Sequence, residues 1–200
     1  MKRRTLDLLF TVGGIALALL LFVLFFVLKD NADFAKSYVK DQLTEQRITF
    51  TPSKGLADAE KKSACLVKSA GKPLQSGKQA ECYANRYIAL HLKEINGGKT
   101  YSETSGEARA ARAAATEATT KNDPKAADLN ASATTLEAKV QTLFRGETLR
   151  GLLLTSYGFS VFGERASQAA TVALLGGIVL LLASVAGAVH YVKTPRNTTV

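Results

Sequence analysis

The chain has 200 residues, 46% of them hydrophobic, and a formal net charge of +9. That charge is weak support for a nucleic-acid partner: residues 30–168 hold 20 Lys+Arg against 16 Asp+Glu, while Lys2, Arg3, Arg4, Lys29, Lys193 and Arg196 sit beside the apolar ends. With no Trp and no basic stripe interleaved with aromatics, nucleic acid is excluded as a partner.

Leu8 to Leu28 (LLFTVGGIALALLLFVLFFVL) runs 21 residues without a charge. At 1.5 Å per residue it reaches about 30 Å, the thickness of a hydrocarbon core. A cleaved secretory signal is the competing reading. Such a signal has a shorter apolar run and a small-residue cleavage site, whereas this run is long and ends at Lys29–Asp30. The reading adopted is an uncleaved transmembrane anchor, residues 8–28, after a cytoplasmic segment 1–7.

Asp30 to Gln46 carries an apolar stripe of Phe34, Ala35, Tyr38, Val39 and Leu43, and no breaker separates it from the first span. One helix should leave the membrane and continue as a stalk. Arg47–Phe50 (RITF) is short and β-favouring, and Pro52 ends it. Ala57–Ser69 reads as one helix, stopped by Gly71 and Pro73. Gly77–Asn96 reads as a better-defined one, with Ala80, Tyr83, Ala84, Tyr87, Ile88, His91 and Ile95 on one face and Gly97–Gly98 as its stop.

Residues 106–139 contain twelve alanines and few large apolar residues. Alanine favours helix, and Asn122–Asp123–Pro124 breaks the run, so a helical hairpin is predicted. Burying little surface, it should project and be the most mobile part. Residues 143–163 turn apolar again, with Leu152–Phe162 too short to span and too apolar to lie free in water; a juxtamembrane segment follows. Ala169–Val192 is the second span, and residues 193–200 form the tail. Basic residues outside both spans place both termini in the cytoplasm and residues 29–168 outside the cell membrane.

Small residues recur at four-residue spacing in the spans: Gly14 with Ala18, Ala169 with Ala173 and Gly177, and Ala183 with Gly187. Such rows permit close helix packing, within the chain or with a partner, although Gly and Ala are common in spans anyway. Cys65 and Cys82 are the only cysteines. An oxidising exterior favours a disulfide between them, and two buried thiols are the alternative.

The spacing offers no metal site, since no CxxC pair exists and His91 stands alone on its face. His190 beside Tyr191 is an interfacial position that needs no function. Gly97-Gly98-Lys99-Thr100 lacks the earlier glycine of a phosphate loop, with Lys93 in its place. Asn130-Ala-Ser132 matches a glycosylation acceptor, relevant only in a eukaryotic secretory setting, and Thr198-Thr199-Val200 is a weak carboxylate-capture signal.

The segments VKDQLTEQRITFTP, AECYANRYIALHLKEINGGKTYSE and LFRGETLRGLLLTSYGF resemble those of an uncharacterised family of small actinobacterial two-transmembrane-helix membrane proteins. The resemblance covers most of the chain outside the Ala-rich hairpin and carries no catalytic residues. Some members of that family are called aromatic ring-opening dioxygenases. Such chemistry needs an iron commonly held by two His and a carboxylate, and His91 and His190 belong to opposite sides of the membrane in this reading.

The expectation is therefore a mainly α protein: a two-span transmembrane helical hairpin with an extracytoplasmic helical domain. It needs no cofactor and performs no enzymatic chemistry. Its partners are the lipid bilayer and either a membrane or envelope protein or a second copy of itself. The alternative role is an extracytoplasmic sensor or ligand-binding module. With eight residues after the second span, such a module would signal through a partner.

Overall fold

In the computed structural model, which describes residues 3–195, the chain is mainly helical. The helices are α1 (Arg3–Glu45), α2 (Asp58–Lys61), α3 (Ala64–Ser69), α4 (Gly77–Cys82), α5 (Ala89–Ile95), α6 (Tyr101–Thr120) and α7 (Ala126–Lys193). A short 3-10 turn occupies Ser53–Gly55, and a π-helical turn, Tyr83–Ile88, joins α4 to α5. Lys2, Arg196 and the Thr198–Val200 motif lie outside the described residues. The contacts divide the chain into two units, Met1–Tyr38 with Ser160–Val200, and Val39–Phe159.

The first unit is an antiparallel pair made by α1 and α7. Both helices are long and apolar enough to cross a membrane, and only 11% and 17% of their most apolar stretches are buried within the molecule. Their contact seam follows a heptad-like rhythm. On α1 the buried or half-buried positions are Thr11, Gly14, Ala18, Leu21, Phe25, Leu28, Ala32 and Ala35. On α7 they include Gly163, Ala166, Ala170, Ala173, Gly177, Leu180, Ser184 and Gly187. Steps of three and four keep a seam facing its partner, as in a left-handed coiled coil, and small side chains let the backbones approach.

The approach is close. A Cβ added at Gly163 would stand 2.8 Å from the Ala35 Cβ, and one at Gly187 would stand 2.8 Å from Thr11 Oγ1. At Gly177 it would touch the Phe22 ring at 3.0 Å. Leu9, Phe10, Leu20, Phe26, Val172, Val179 and Leu182 point outward and are mostly exposed.

The second unit has a core of Val39 and Leu43 from α1, Phe50, Leu66, Leu74, Ala80, Cys82, Ala84, Ile88, Leu92, and Leu143 and Leu153 from α7. The RITF segment is seated by three backbone hydrogen bonds. Phe50 N–H donates to the Lys72 carbonyl (3.0 Å), Gly71 N–H to that of Phe50 (3.2 Å), and Leu74 N–H to that of Ile48 (2.9 Å). This makes an isolated antiparallel bridge, Thr49 to Pro73.

Two sequence expectations are corrected here. The helix expected over 57–69 is broken at Lys62–Ser63, where Ser63 is extended. Glu60 and Leu66 are both buried, yet six residues apart they would face different sides of one straight helix. The Ala-rich hairpin is packed rather than bare, because α6 and α7 approach through Thr104, Ala108, Ala115, Ala118 and Ala133, all buried. The apolar segment 143–163 is an uninterrupted stretch of α7, a helix of 68 residues, in which Leu153 enters the core while Leu152 and Phe162 stay exposed.

Candidate functional sites

Three groups of side chains stand out, one in the α1–α7 pair and two in the second unit, the helical head. In the pair, polar groups gather where the α1 N-terminus meets the α7 C-terminus. His190 Nδ1 lies 3.0 Å from Asp7 Oδ2, and the Arg4 guanidinium sits 4.5 Å from the centre of the Tyr191 ring. Among the six packing residues singled out in the sequence, Ala18, Ala173 and Gly177 are buried, and Gly14 and Gly187 are half-buried. Ala183 is exposed, and its neighbour Ser184 takes the seam position over Gly14. Ala169 is likewise exposed, with Ala170 buried in its place. A four-residue rule drifts off a seam that alternates three and four, so Ala169 and Ala183 fall outside the α1–α7 contact.

In the helical head, α6 is tied to α7 by a polar ladder. Arg112 donates to both Glu137 oxygens (2.8 and 2.7 Å), to Asn130 Oδ1 (3.0 Å) and to Thr134 Oγ1 (3.3 Å). This holds the Glu137 carboxyl below the usual glutamate range and raises the Arg112 guanidinium. The Asn130 amide also donates to Thr119 Oγ1 and to the Ala126 carbonyl, so the glycosylation-like motif is structural here.

At the other end of α6, Asn96 donates to Thr104 and Glu107 and accepts from Lys139 Nζ (3.1 Å). Lys99 closes on Glu107 as well, and these partners push the Glu107 carboxyl down. Glu103 is lowered by the Thr100 backbone N–H and hydroxyl that it caps. The Gly97–Thr100 stretch, in which both glycines have positive φ, is thus a helix-to-helix turn.

The third group surrounds the cysteines. The Cys65 and Cys82 sulfurs lie at disulfide distance, 1.96 Å, and link α3 to α4. Next along the chain, the π turn stacks Tyr83 on Tyr87 (4.7 Å between ring centres), with the His91 ring tilted against Tyr87 (4.5 Å) and Phe50 edge-on to Tyr83. His91 Nδ1 lies 2.8 Å from the Tyr87 carbonyl, which can only accept, so that nitrogen carries a proton. Its Nε2 faces the buried Glu60 at 3.5 Å. Glu60 also accepts from the Ala57 N–H (2.8 Å). Burial, with the neighbouring Tyr87 and Glu60, pushes the Tyr83 phenol up. Glu60 lies 31 positions before His91 on a separate short helix, so local spacing gives no sign of their meeting.

Beside the disulfide lies an open cleft of about 570 Å³. Ala59, Ala64, Ala89 and Leu90 line it, as do Lys62, Arg86, Lys93, Glu81, Asn85, Ser63 and Cys65. None of these residues was singled out from the sequence except Cys65. Their common face exists only after α2, α3 and the π turn are assembled. His91 and His190, the pair that a ring-opening dioxygenase would need, fall in separate units. No family model, curated protein or solved structure matches the chain.

Proposed function

We propose that this chain is an integral membrane protein of two spans, with both termini cytoplasmic and residues 29–168 outside. In this reading it is a non-enzymatic structural or accessory component that binds other membrane or cell-envelope proteins. The observation that carries it is the outward apolar surface of the paired helices. Large side chains such as Phe10, Phe26, Val172 and Leu182 are left exposed around a seam of small residues. A surface of that extent requires lipid or another apolar partner. The basic residues Arg3, Arg4 and Lys193 at the ends of the pair, and the cysteines at disulfide distance in the middle, support the orientation.

An accessory role is supported by how the polar residues of the head are used. Arg112, Asn96, Glu107 and Lys139 join helices to one another. The exposed Phe144 and Tyr101, in ring contact at 5.8 Å, offer an apolar patch to a partner. Affinity purification of the tagged protein from detergent-solubilised membranes tests this role. A stoichiometric membrane or envelope partner, or a defined homo-oligomer, is expected; a protein that migrates alone as a monomer overturns it. The open cleft favours a second reading, a ligand-binding module acting through a partner.

A further inference from the structure

We propose that the cleft beside the Cys65–Cys82 pair binds a phosphate-bearing anion through Lys62, Arg86 and Lys93. The inference rests on the second reading, the ligand-binding module, and gives it a ligand class.

Some cations of the head are neutralised by carboxylates: Arg112 by Glu137, Lys99 by Glu107, Lys121 by Glu117, Arg150 by Glu147. Among the described residues, Lys62, Arg86 and Lys93 contact no carboxylate. All three line one concavity, and Glu81 is the single acid in its wall. Glu81 is already engaged by the Asn85 amide at 3.0 Å. Like charges gathered in a concave wall repel one another and focus a positive potential that an anion relieves.

The backbone adds a second, independent feature. Arg86 lies within the π turn, and Lys93 follows it on α5. A π turn is rare, and where it occurs it often serves a site. By widening one turn it keeps Glu81, Asn85, Ala89 and Lys93 on a common wall, where steps of four along a regular helix would drift. The disulfide fixes α3 against α4, so the facing wall of Ser63, Ala64 and Cys65 is held in place.

Size and lining define the ligand. A volume of about 570 Å³ exceeds what a bare phosphate fills. Ala59, Ala64, Ala89 and Leu90 offer small apolar surface for a carbon skeleton. The Arg86 fork and two lysine ammonium groups suit phosphate oxygens. The ligand is therefore a phosphate ester with a small organic moiety, either free or as the headgroup of an anionic lipid.

The test uses the full-length protein in nanodiscs of phosphatidylcholine, titrated with glycerol 3-phosphate and followed by calorimetry. Saturable binding is expected, with glycerol silent. A triple variant, Lys62→Gln, Arg86→Gln and Lys93→Gln, should weaken binding at least about tenfold, the loss of one good charged contact. Glu81→Gln should tighten it, because one repelling charge is gone. Lys125→Gln, on the exposed turn before α7, should leave it unchanged.

Phosphatidylglycerol nanodiscs form the second arm. Competition by that lipid against glycerol 3-phosphate identifies the headgroup as the source, and its absence with binding retained identifies a free ester; both support the proposal. No binding in either arm, or binding indifferent to the triple variant, overturns it. A failed purification of partners would leave these results untouched.

Discussion

Single residues carry sharply unequal weight in the helix pair. Gly163 faces Ala35, whose methyl group has no rotamer to retreat into, and the Ala32 carbonyl is 3.5 Å from the added Cβ position. A Gly163→Leu substitution should therefore separate α1 from α7. Ala170→Leu should do the same, because Ala170 is buried, whereas Ala169→Leu points away and should be silent. Oxidative crosslinking between cysteines placed at Thr11 and Gly187 reads this directly. The crosslink should form in the parent and in the Ala169→Leu variant, and should be lost with Gly163→Leu or Ala170→Leu.

In the head, Cys65 and Cys82 are 17 positions apart. Closing a loop of that size limits the unfolded chain, and replacing both cysteines by Ala should lower stability by about 3 kcal/mol. Chemical denaturation of the full chain in detergent measures it. Reducing agent should reproduce the loss in the parent and add nothing in the variant.

At the scale of elements, three carboxylates on α6 and its partner stretch of α7 respond to acid together. Glu103, Glu107 and Glu137 are each held below the ordinary glutamate range by N–H, hydroxyl, lysine or arginine partners. Their folded-state values are depressed, so their stabilising contribution is complete above about pH 4.3, where the unfolded chain is already ionised. It is lost as pH falls through the lower folded-state values. Amide exchange along α6 should therefore accelerate below about pH 4 before exchange in α4 and α5 does. Glu137→Gln should remove much of that dependence.

The α6–α7 hairpin shows what local sequence carries and what it does not. Helix was legible in its alanines, and the turn in Asn122–Asp123–Pro124, where Asn122 takes a positive φ and Asp123 accepts from the Lys125 N–H at 2.8 Å. Its packing was not legible, because alanine gives no periodic signal of burial. Arg112 and Glu137 are 25 positions apart and meet only once the helices are paired. The π turn was equally silent, since Tyr83–Ile88 has ordinary helical composition.

For the molecule as a whole, two apolar ends around a polar middle were plain from the order of residues. Both runs are long and apolar enough to cross a bilayer. The proposed orientation rests on the basic residues that flank both runs and on the cysteine pair at disulfide distance. The cleft was hidden because its walls come from α2, α3, α4, the π turn and α5, each contributing no more than three residues. The account stands or falls on the side of the membrane that the head occupies. A cysteine introduced at Asn122, on the exposed turn between α6 and α7, can be offered a membrane-impermeant maleimide in intact cells. The account predicts full labelling without permeabilisation; labelling only after the membrane is opened would contradict it.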